Sequence, residues 1–290
     1  MKPVWLGVLL CATVVAPQSR ELKGGTEPRW TRDGKQIVFA RGVASRNYDI
    51  LIANSDGTAE RTLIASDSMD YQPTLSPDGS HIAFVSTRDG RQSLYVASLD
   101  GRTVKKLTAN LTAGSPAWSP DGRQIAFTGG DEGRDREIYL VRADGSGLRN
   151  ITNSADLDDA AEWSPDGKTI VFVSRRGSDQ TALYLMDADG QNVRPLHTAS
   201  TSKANGAYWS PDGTRIAFSS TRDGNPELYI VHVASGSTIR LTKDADDAKR
   251  NDFHPRWSPD GSMFAFYTNR DGRYGIWIMR ADGSEARRVF

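Results

Sequence analysis

Cysteine is almost absent from this chain of 290 residues, which contains a single one, Cys11. A disulfide framework therefore cannot stabilise the fold. Several catalytic signatures are also missing, since the sequence has no Gly-x-Ser-x-Gly nucleophile elbow, no His-Glu-x-x-His metal helix, no EF-hand loop and no phosphate-binding loop. The four histidines are scattered along the chain. We therefore predict no catalytic residue, no resident metal ion and no cofactor.

An excess of either charge is lacking too, because 36 Lys and Arg residues balance 36 Asp and Glu residues. Nucleic-acid binding depends mainly on the neutralisation of phosphates, so this balance argues against a nucleic-acid partner. The mean hydropathy of −0.51 excludes an integral membrane protein with several spans. A hydrophobic fraction of 38% with 27 Gly suits many short strands joined by tight turns.

The one long apolar run covers residues 4–15 and follows a short, positively charged start. This pattern is typical of a secretory signal peptide, and the run is too short to span a bilayer comfortably. We predict a signal peptide over residues 1–16, or as far as residue 19, and a periplasmic or secreted mature protein without cysteine. An uncleaved anchor is the alternative, as is a lipoprotein modified at Cys11, which the bulky Leu10 disfavours.

An internal repeat of about 45 residues dominates the rest of the chain. Its marker is the sequence Ser-Pro-Asp-Gly, which occurs five times, with a sixth, degenerate copy that reads Thr-Arg-Asp-Gly. Pro presets φ, Asp bonds to the local backbone and Gly takes the positive φ that closes a hairpin. The turn aspartates are Asp33, Asp78, Asp121, Asp166, Asp212 and Asp260. A Trp precedes the turn in five copies, and Leu75 takes its place in the other.

A Phe in a short apolar strand follows each turn aspartate by six residues. Two further turns, typically Arg-Asp-Gly and Ala-Asp-Gly, then separate two more strands, so each repeat predicts four antiparallel strands. Such a module buries its two apolar faces only against copies of itself. We therefore predict an all-β fold, a single six-bladed β-propeller over residues 24–290. The repeat phase favours ring closure by simple blade contact, because residues 285–290 already supply the last outer strand.

Repeats that read Trp-Ser-Pro-Asp-Gly, Ile-Ala-Phe, Arg-Asp-Gly, Leu-Tyr and Asp-Gly resemble the WD-like propeller repeats of the TolB family. The resemblance implies the propeller of a periplasmic component of the Tol-Pal envelope system, which binds the peptidoglycan-associated lipoprotein, Pal. It covers the propeller portion, and we expect the amino-terminal α/β domain of TolB and its TolA-binding extension to be absent. Similar propellers occur in oligogalacturonate lyases and as non-catalytic domains of prolyl oligopeptidase-like enzymes.

The connections between blades lead into the inner strands that line the channel, so they are the expected binding elements. Five residues before the Trp or Leu75, acids appear in alternate blades, at Asp70, Asp158 and Asp252. We predict that they form a ring at one channel mouth, joined by Asp159, and attract a cation or a basic peptide. His254 is the one histidine with a plausible role in the channel.

Structural roles are the alternative for these acids. Asp near the start of a strand often accepts backbone N–H bonds in an Asx turn. Arg88, Arg222 and Arg270 are expected on the same face, where they would pair with the carboxylates.

The sequence thus favours a non-catalytic, monomeric scaffold that binds a protein or peptide in the cell envelope, such as a Pal-like lipoprotein. One alternative is a channel-centred enzyme, such as a metal-assisted polysaccharide lyase or hydrolase, and another is the non-catalytic propeller of a peptidase-like system. Two or more histidines with carboxylates inside the channel would favour the enzyme. Exposed aromatic residues at an acidic mouth would favour the scaffold.

Overall fold

The computed structural model describes residues 25–44, 47–131, 136–177, 179–196, 203–243 and 250–290. All regular secondary structure in these ranges is β. The predicted signal peptide, with both of its alternative ends, lies outside the described residues. Within them, no helical segment has the length and hydropathy that a membrane crossing requires.

The described strands form six sheets of four, and in every sheet the strands follow one another in chain order and pair antiparallel. The first sheet contains β1 (Gly25–Trp30), β2 (Gln36–Ala44), β3 (Asn47–Asn54) and β4 (Arg61–Ile64). The second contains β5 (Asp70–Leu75), β6 (His81–Ser86), β7 (Ser93–Ser98) and β8 (Val104–Lys106). The third contains β9 (Thr112–Trp118), β10 (Gln124–Gly130), β11 (Glu137–Arg142) and β12 (Arg149–Asn150). The fourth contains β13 (Asp158–Trp163), β14 (Thr169–Ser174), β15 (Ala182–Asp187) and β16 (Arg194–Pro195). The fifth contains β17 (Ala204–Trp209), β18 (Arg215–Ser220), β19 (Glu227–His232) and β20 (Thr238–Arg240). The sixth contains β21 (Asp252–Trp257), β22 (Met263–Thr268), β23 (Gly275–Arg280) and β24 (Arg287–Arg288).

Each Ser-Pro-Asp-Gly segment closes the hairpin between the first two strands of its sheet. In the second sheet, Ser76 Oγ donates to Asp78 Oδ1 at 2.6 Å and accepts the backbone N–H of His81 at 2.9 Å. Gly79 has a φ of 73°, which a residue with a side chain rarely adopts. The hydrogen bond from Ser76, followed by those from Ser80, lowers the pKa of Asp78 to about 2. Four other copies repeat the serine–aspartate bond, so local turn formation accounts for the motif.

The core consists of apolar clusters at each of the six boundaries between neighbouring sheets. At the first boundary, for example, Val38 and Ile50 pack with Ile82 and Phe84 of the next sheet. The Phe that follows each turn aspartate has no exposed surface in any of the six sheets. Because the boundary between the sixth and first sheets also holds a cluster, the sheets close into a ring. The predicted six-bladed β-propeller with four antiparallel strands per blade is confirmed.

Side-chain packing joins the sixth blade to the first. Phe290 stacks on Phe39 with ring centroids 4.5 Å apart. Gly25 is tightly enclosed there, because a Cβ atom at this position would lie 2.5 Å from Phe39 Cδ2 and 2.7 Å from Ile276 Cδ1. Strand β24 stays in the sheet of the sixth blade and β1 in that of the first. Among the described strands, the ring is therefore closed by packing between two complete blades.

We expect Gly25→Ala to lower the free energy of unfolding by about 1–3 kcal/mol, because the added methyl group forces a tightly packed boundary apart. Gly114→Ala is the matched control, since Gly114 also lies in an inner strand but its added Cβ would meet Gln72 Oε1 at an ordinary 3.6 Å. The control should stay within about 0.5 kcal/mol of the wild type. Urea unfolding measures both variants, and equal stability of the two would contradict closure by tight packing at Gly25.

Candidate functional site

The inner strands β1, β5, β9, β13, β17 and β21 surround the central channel, and each pairs irregularly with the second strand of its blade. The irregularity is a bulge around the residue three places before the Trp or Leu75, which has a positive φ in every blade. These six residues are Glu27, Gln72, Ser115, Ala160, Gly206 and His254. A β-bulge re-aims side chains, and all six residues line the cavity inside the channel. The repeat thus places six different residue types around one space.

Two arginines and one glutamate cross the channel near the carboxy-terminal ends of the inner strands. Arg29 Nη1 lies 3.4 Å from Glu162 Oε2, and Arg256 Nη1 lies 2.9 Å from the same oxygen. Arg29 Nε also donates to the carbonyl of Pro73 at 3.2 Å. The guanidinium carbon of Arg256 lies 3.3 Å from the centroid of the Tyr208 ring. These contacts connect the first, second, fourth, fifth and sixth blades across the channel.

Burial controls the protonation of the groups beside this crossing. The pKa of His254 is lowered to about 3, first by burial and then by the charges of Arg256 and Arg29, so its imidazole is neutral at physiological pH. Burial, and then the charge of Arg29, lowers the pKa of Arg256 to about 10, which leaves it a cation. Burial raises the pKa of Glu27, whose carboxylate accepts the backbone N–H of Gln72 at 2.7 Å. A pKa this low keeps the His254 imidazole neutral throughout the range near pH 7.

The three acids predicted at the mouth begin alternate inner strands, and each is buried beside an arginine of its own blade. At most 1% of the surface of Asp70, Asp158 or Asp252 is exposed. Their partners, each donating from Nη2, are in the same order Arg88 (2.9 Å), Arg176 and Arg270 (2.6 Å). The carboxylates occupy equivalent positions, opposite Ser86, Ser174 and Thr268. None of them lines the cavity, and their role in binding stays a prediction.

Asp159 and His254 lie in different environments. Asp159 accepts hydrogen bonds from Thr128 Oγ1 at 2.6 Å and Arg136 Nη1 at 2.9 Å, and so links the fourth blade to the third. His254 lines the cavity and packs against Tyr208 and Tyr267, with ring centroids 6.0 and 5.5 Å away. Of the five residues predicted to bind, His254 is the one that the structure places at the cavity.

An aromatic cluster extends from the cavity to the channel end at which the inner strands begin, which we call the amino-terminal mouth. The cluster consists of Tyr208, His254, Tyr267, Phe253 and Tyr274, and its ring contacts span 5.2–6.0 Å between centroids. Phe253 and Tyr274 are partly exposed. Partly exposed aromatic side chains are frequent at recognition surfaces, because they offer a large contact area and, in Tyr, a hydroxyl group that can form a hydrogen bond.

The described residues contain no group of three or more His, Cys, Asp or Glu side chains placed to hold a metal ion. In the described lining of the cavity, His254 is accompanied by Glu27 and Glu162 but by no second histidine.

Sequence reasoning missed the channel crossing. The sequence prediction counted five residues back from the Trp or Leu75, whereas the cavity is lined by residues one to four places before it. A signal was present at the residue directly before the Trp, which is charged in three blades, at Arg29, Glu162 and Arg256, and uncharged in the other three.

The family model described as the TolB beta propeller domain matches residues 40–208 and 197–290. The chain belongs to the TolB β-propeller domain family. Its TolB relatives include the protein TolB homolog of Chlorobaculum tepidum, 34% identical over 51% of this chain and 32% of the relative. They also include the Tol-Pal system protein TolB of Bordetella avium, 36% identical over 46% of this chain and 35% of the relative. The chain thus spans about a third of the length of these relatives.

The solved structure of TolB from Acinetobacter baumannii is similar as well. It superposes with a TM-score of 0.76 at 27% identity and covers 88% of this chain and 63% of its own. The likeness to TolB therefore extends around most of the ring.

In this TolB-family propeller, we expect Asp252→Asn to lower the free energy of unfolding by about 2–4 kcal/mol. The substitution leaves the Arg270 guanidinium, 14% exposed, beside a neutral amide instead of a carboxylate. Glu285→Gln is the control, because it breaks an ion pair with Arg280 in which both side chains are more than half exposed, and it should cost less than about 1 kcal/mol. Urea unfolding compares the two, and a D252N variant as stable as E285Q would argue against a structural role for the pair.

The raised pKa of Glu27 predicts that the wild type and Glu27→Gln differ in free energy of unfolding by an amount that depends on pH. Because burial raises the pKa of Glu27 above its ordinary 4.5, the folded protein binds this proton at a pH where the unfolded chain has lost it. The free energy of unfolding of the wild type, measured relative to E27Q, should therefore rise as the pH falls from 7.5 towards 4.5.

Asp260→Asn is the control, because its stability relative to the wild type should change with pH in the opposite direction. Hydrogen bonds from Ser258 and then Ser262 lower the pKa of Asp260 to about 2 from 3.8, so the wild type should lose stability relative to D260N as the pH falls from 3.8 towards 2. Denaturant unfolding across the pH range measures both differences, and a flat difference for E27Q would contradict the raised pKa.

Proposed function

We propose that this chain is an exported, non-catalytic propeller that binds a protein or peptide partner in the cell envelope, in a Tol-Pal-like role. The observation that carries the proposal is the family match across residues 40–290, together with relatives named as TolB of the Tol-Pal system. A Pal-like lipoprotein is the proposed partner. The chain spans about a third of the length of these relatives, and a place for this chain in a Tol-Pal-like system is part of the proposal.

The amino-terminal mouth is the proposed contact surface, because it combines aromatic area with fixed charges. Phe253 and Tyr274 are partly exposed there and are supported from below by the buried Tyr267, with ring centroids 5.2 and 5.9 Å away. Aromatic side chains that are held rigidly lose little conformational entropy on binding, which is why they are enriched among the residues that dominate binding energy.

The five residues predicted from the sequence take part in this proposal in different ways. Asp70, Asp158 and Asp252 act indirectly, because each holds an arginine whose side chain stays 14–23% exposed at the mouth. Asp159 fixes the connection between the third and fourth blades through Thr128. His254 supports the aromatic cluster from inside the channel. The partner would then meet guanidinium groups and aromatic rings more than free carboxylates.

A non-catalytic role is supported by the engagement of the charged groups in the cavity. Arg29 and Arg256 both bind Glu162. The charges that act on the neutral His254 are those of Arg256 and Arg29, which lower its basicity. A monomeric state is supported by the surface, because the exposed large apolar residues of the described chain lie singly on different blades. They are Val43, Val104, Leu148 and Ile239. Export is supported by the apolar run at residues 4–15.

Direct binding to the Pal-like lipoprotein of the source organism tests the proposal. The purified protein should bind the soluble domain of that lipoprotein, and Phe253→Ala combined with Tyr274→Ala should weaken binding at least about tenfold, because it removes two aromatic anchors. Biolayer interferometry measures the affinities, and circular dichroism verifies that the double variant is folded.

Ile239→Ala is the matched control, because Ile239 is an equally apolar side chain, 52% exposed, on the outer strand of the fifth blade. It should bind like the wild type. No binding by the wild type, or equal loss in the aromatic and control variants, would refute the mouth as the partner site.

A further inference from the structure

Four blades carry an arginine at the same position of the turn between their second and third strands. They are the second, fourth, fifth and sixth, with Arg88, Arg176, Arg222 and Arg270. In three of them, Nη2 of this arginine donates to the aspartate that begins the inner strand. The fifth blade departs from this rule, because Ala204 stands where the others have Asp.

The geometry of Arg222 is otherwise that of its counterparts. Its Nε donates to Ser220 Oγ at 3.2 Å, as Arg88 Nε does to Ser86 Oγ at 2.9 Å. Ala204 pairs with Ser220 in the same register in which Asp70 pairs with Ser86. The guanidinium carbon also lies 4.5 Å from the centroid of the Tyr229 ring. The side chain is therefore held in the conformation that, in the other blades, receives a carboxylate.

The described part of the chain provides no acceptor for Nη2 of this arginine. Arg222 Nη2 is buried and makes no hydrogen bond there, whereas the equivalent atom of each counterpart does. A buried donor of a charged group is costly when it has no partner. The residue as a whole is only partly buried, so part of it remains exposed to solvent.

Two described acids of this blade that follow Arg222 in the sequence, Asp223 and Glu227, accept hydrogen bonds from other side chains. Asp223 accepts from Tyr229 Oη at 2.6 Å and from Arg240 Nη1 at 3.2 Å. Glu227 is fully buried and accepts from Arg240 Nη2 at 2.9 Å. Lys203, directly before Ala204, adds an exposed cation. Among the described residues, the fifth blade thus presents at Arg222 Nη2 a charged donor without an acceptor.

We propose that Arg222, beside Ala204, forms a binding site for one carboxylate group of a peptide partner. The carboxylate takes the place that Asp70, Asp158 and Asp252 fill in their own blades. This inference deepens the proposed function and rests on it for the nature of the partner. Both a side-chain carboxylate and a chain-terminal carboxylate have the required chemistry, and guanidinium binds either through charge-assisted hydrogen bonds.

Nuclear magnetic resonance of the arginine-labelled full-length protein tests the site with acetate as the probe. At constant ionic strength, with chloride as the balancing anion, acetate should shift the Nε–H signal of Arg222 saturably. The signal of Arg88 should shift at least about fivefold less, because its guanidinium already binds Asp70 at 2.9 Å. Parallel, unsaturated shifts at both arginines would overturn the proposal.

Two variants test whether the response to acetate arises at Arg222. Ala204→Asp supplies the carboxylate internally, so it should abolish the acetate response and raise the melting temperature by about 2–4 °C. Acetate should also raise the melting temperature of the wild type, because it binds the folded protein. Arg222→Gln should abolish this stabilisation, which keeps the test decisive if the first variant folds poorly. An acetate response that persists in either variant would overturn the assignment.

Two small probes distinguish the source of the carboxylate. An N-acetylated dipeptide with a free carboxyl end and no acidic side chain represents a chain terminus, and N-acetyl-aspartate amide represents a side chain. Tighter binding of one assigns that source, and binding of neither, with acetate still bound, would overturn the assignment to a peptide. Loss of lipoprotein binding with an intact acetate response would instead refute the proposed function alone.

Discussion

The packing of neighbouring blades face to face is the interaction on which the rest of the molecule depends. Each blade is a four-stranded sheet with two apolar faces, and an isolated sheet of this kind cannot keep both faces from water. Six boundaries, each with its own apolar cluster, solve this problem in the described structure. The boundary formed by Phe39, Ile276 and Phe290 matters as much as the others, although its two blades stand at opposite ends of the repeat array. Closing the ring there removes the last uncovered face.

Closure also creates the place where function can reside. The bulge in every inner strand takes one residue per blade out of the regular pleat and turns it to the channel. Of the six residues at this position, Ala160 packs against an inter-blade cluster. The other five lie outside these clusters, so their chemistry is free to differ from blade to blade. Glu27, Gln72 and His254 share a backbone conformation with positive φ, but their side chains differ in chemical type. The scaffold therefore repeats while the channel lining does not.

The fold could be predicted from the sequence because its determinants are local and repeated. A Ser-Pro-Asp-Gly turn depends on hydrogen bonds within five residues, such as that from His81 N to Ser76 Oγ, and six copies at a regular interval specify the number of blades. The candidate site depends on contacts of another kind. Glu162 lies 133 positions from Arg29 and 94 from Arg256 in the sequence, and only the closed ring brings the three together. No spacing within one repeat contains that information.

For the acids in alternate blades, too, the sequence indicates the position in the strand but not the residue that each one binds. Counting back from the Trp placed Asp70, Asp158 and Asp252 correctly at the starts of inner strands, because that count stays within one strand. Their surroundings depend on a side chain 18 residues later, across a turn. Pairing was expected at Arg88, Arg222 and Arg270, and it is present at the first and last but absent at Arg222, where Ala204 breaks the rule.

In a ring of near-identical modules, a feature required by the fold recurs in every blade, whereas a partner touches only some of them. A departure from the repeat that leaves a buried charged donor without an acceptor has a cost in the free protein. The second, fourth and sixth blades avoid that cost with one aspartate each. The departure at Ala204 and Arg222 is therefore more informative about binding than the recurring aspartates. At this position the described residues leave Nη2 of an arginine without an acceptor, and the proposed carboxylate of a partner would supply one.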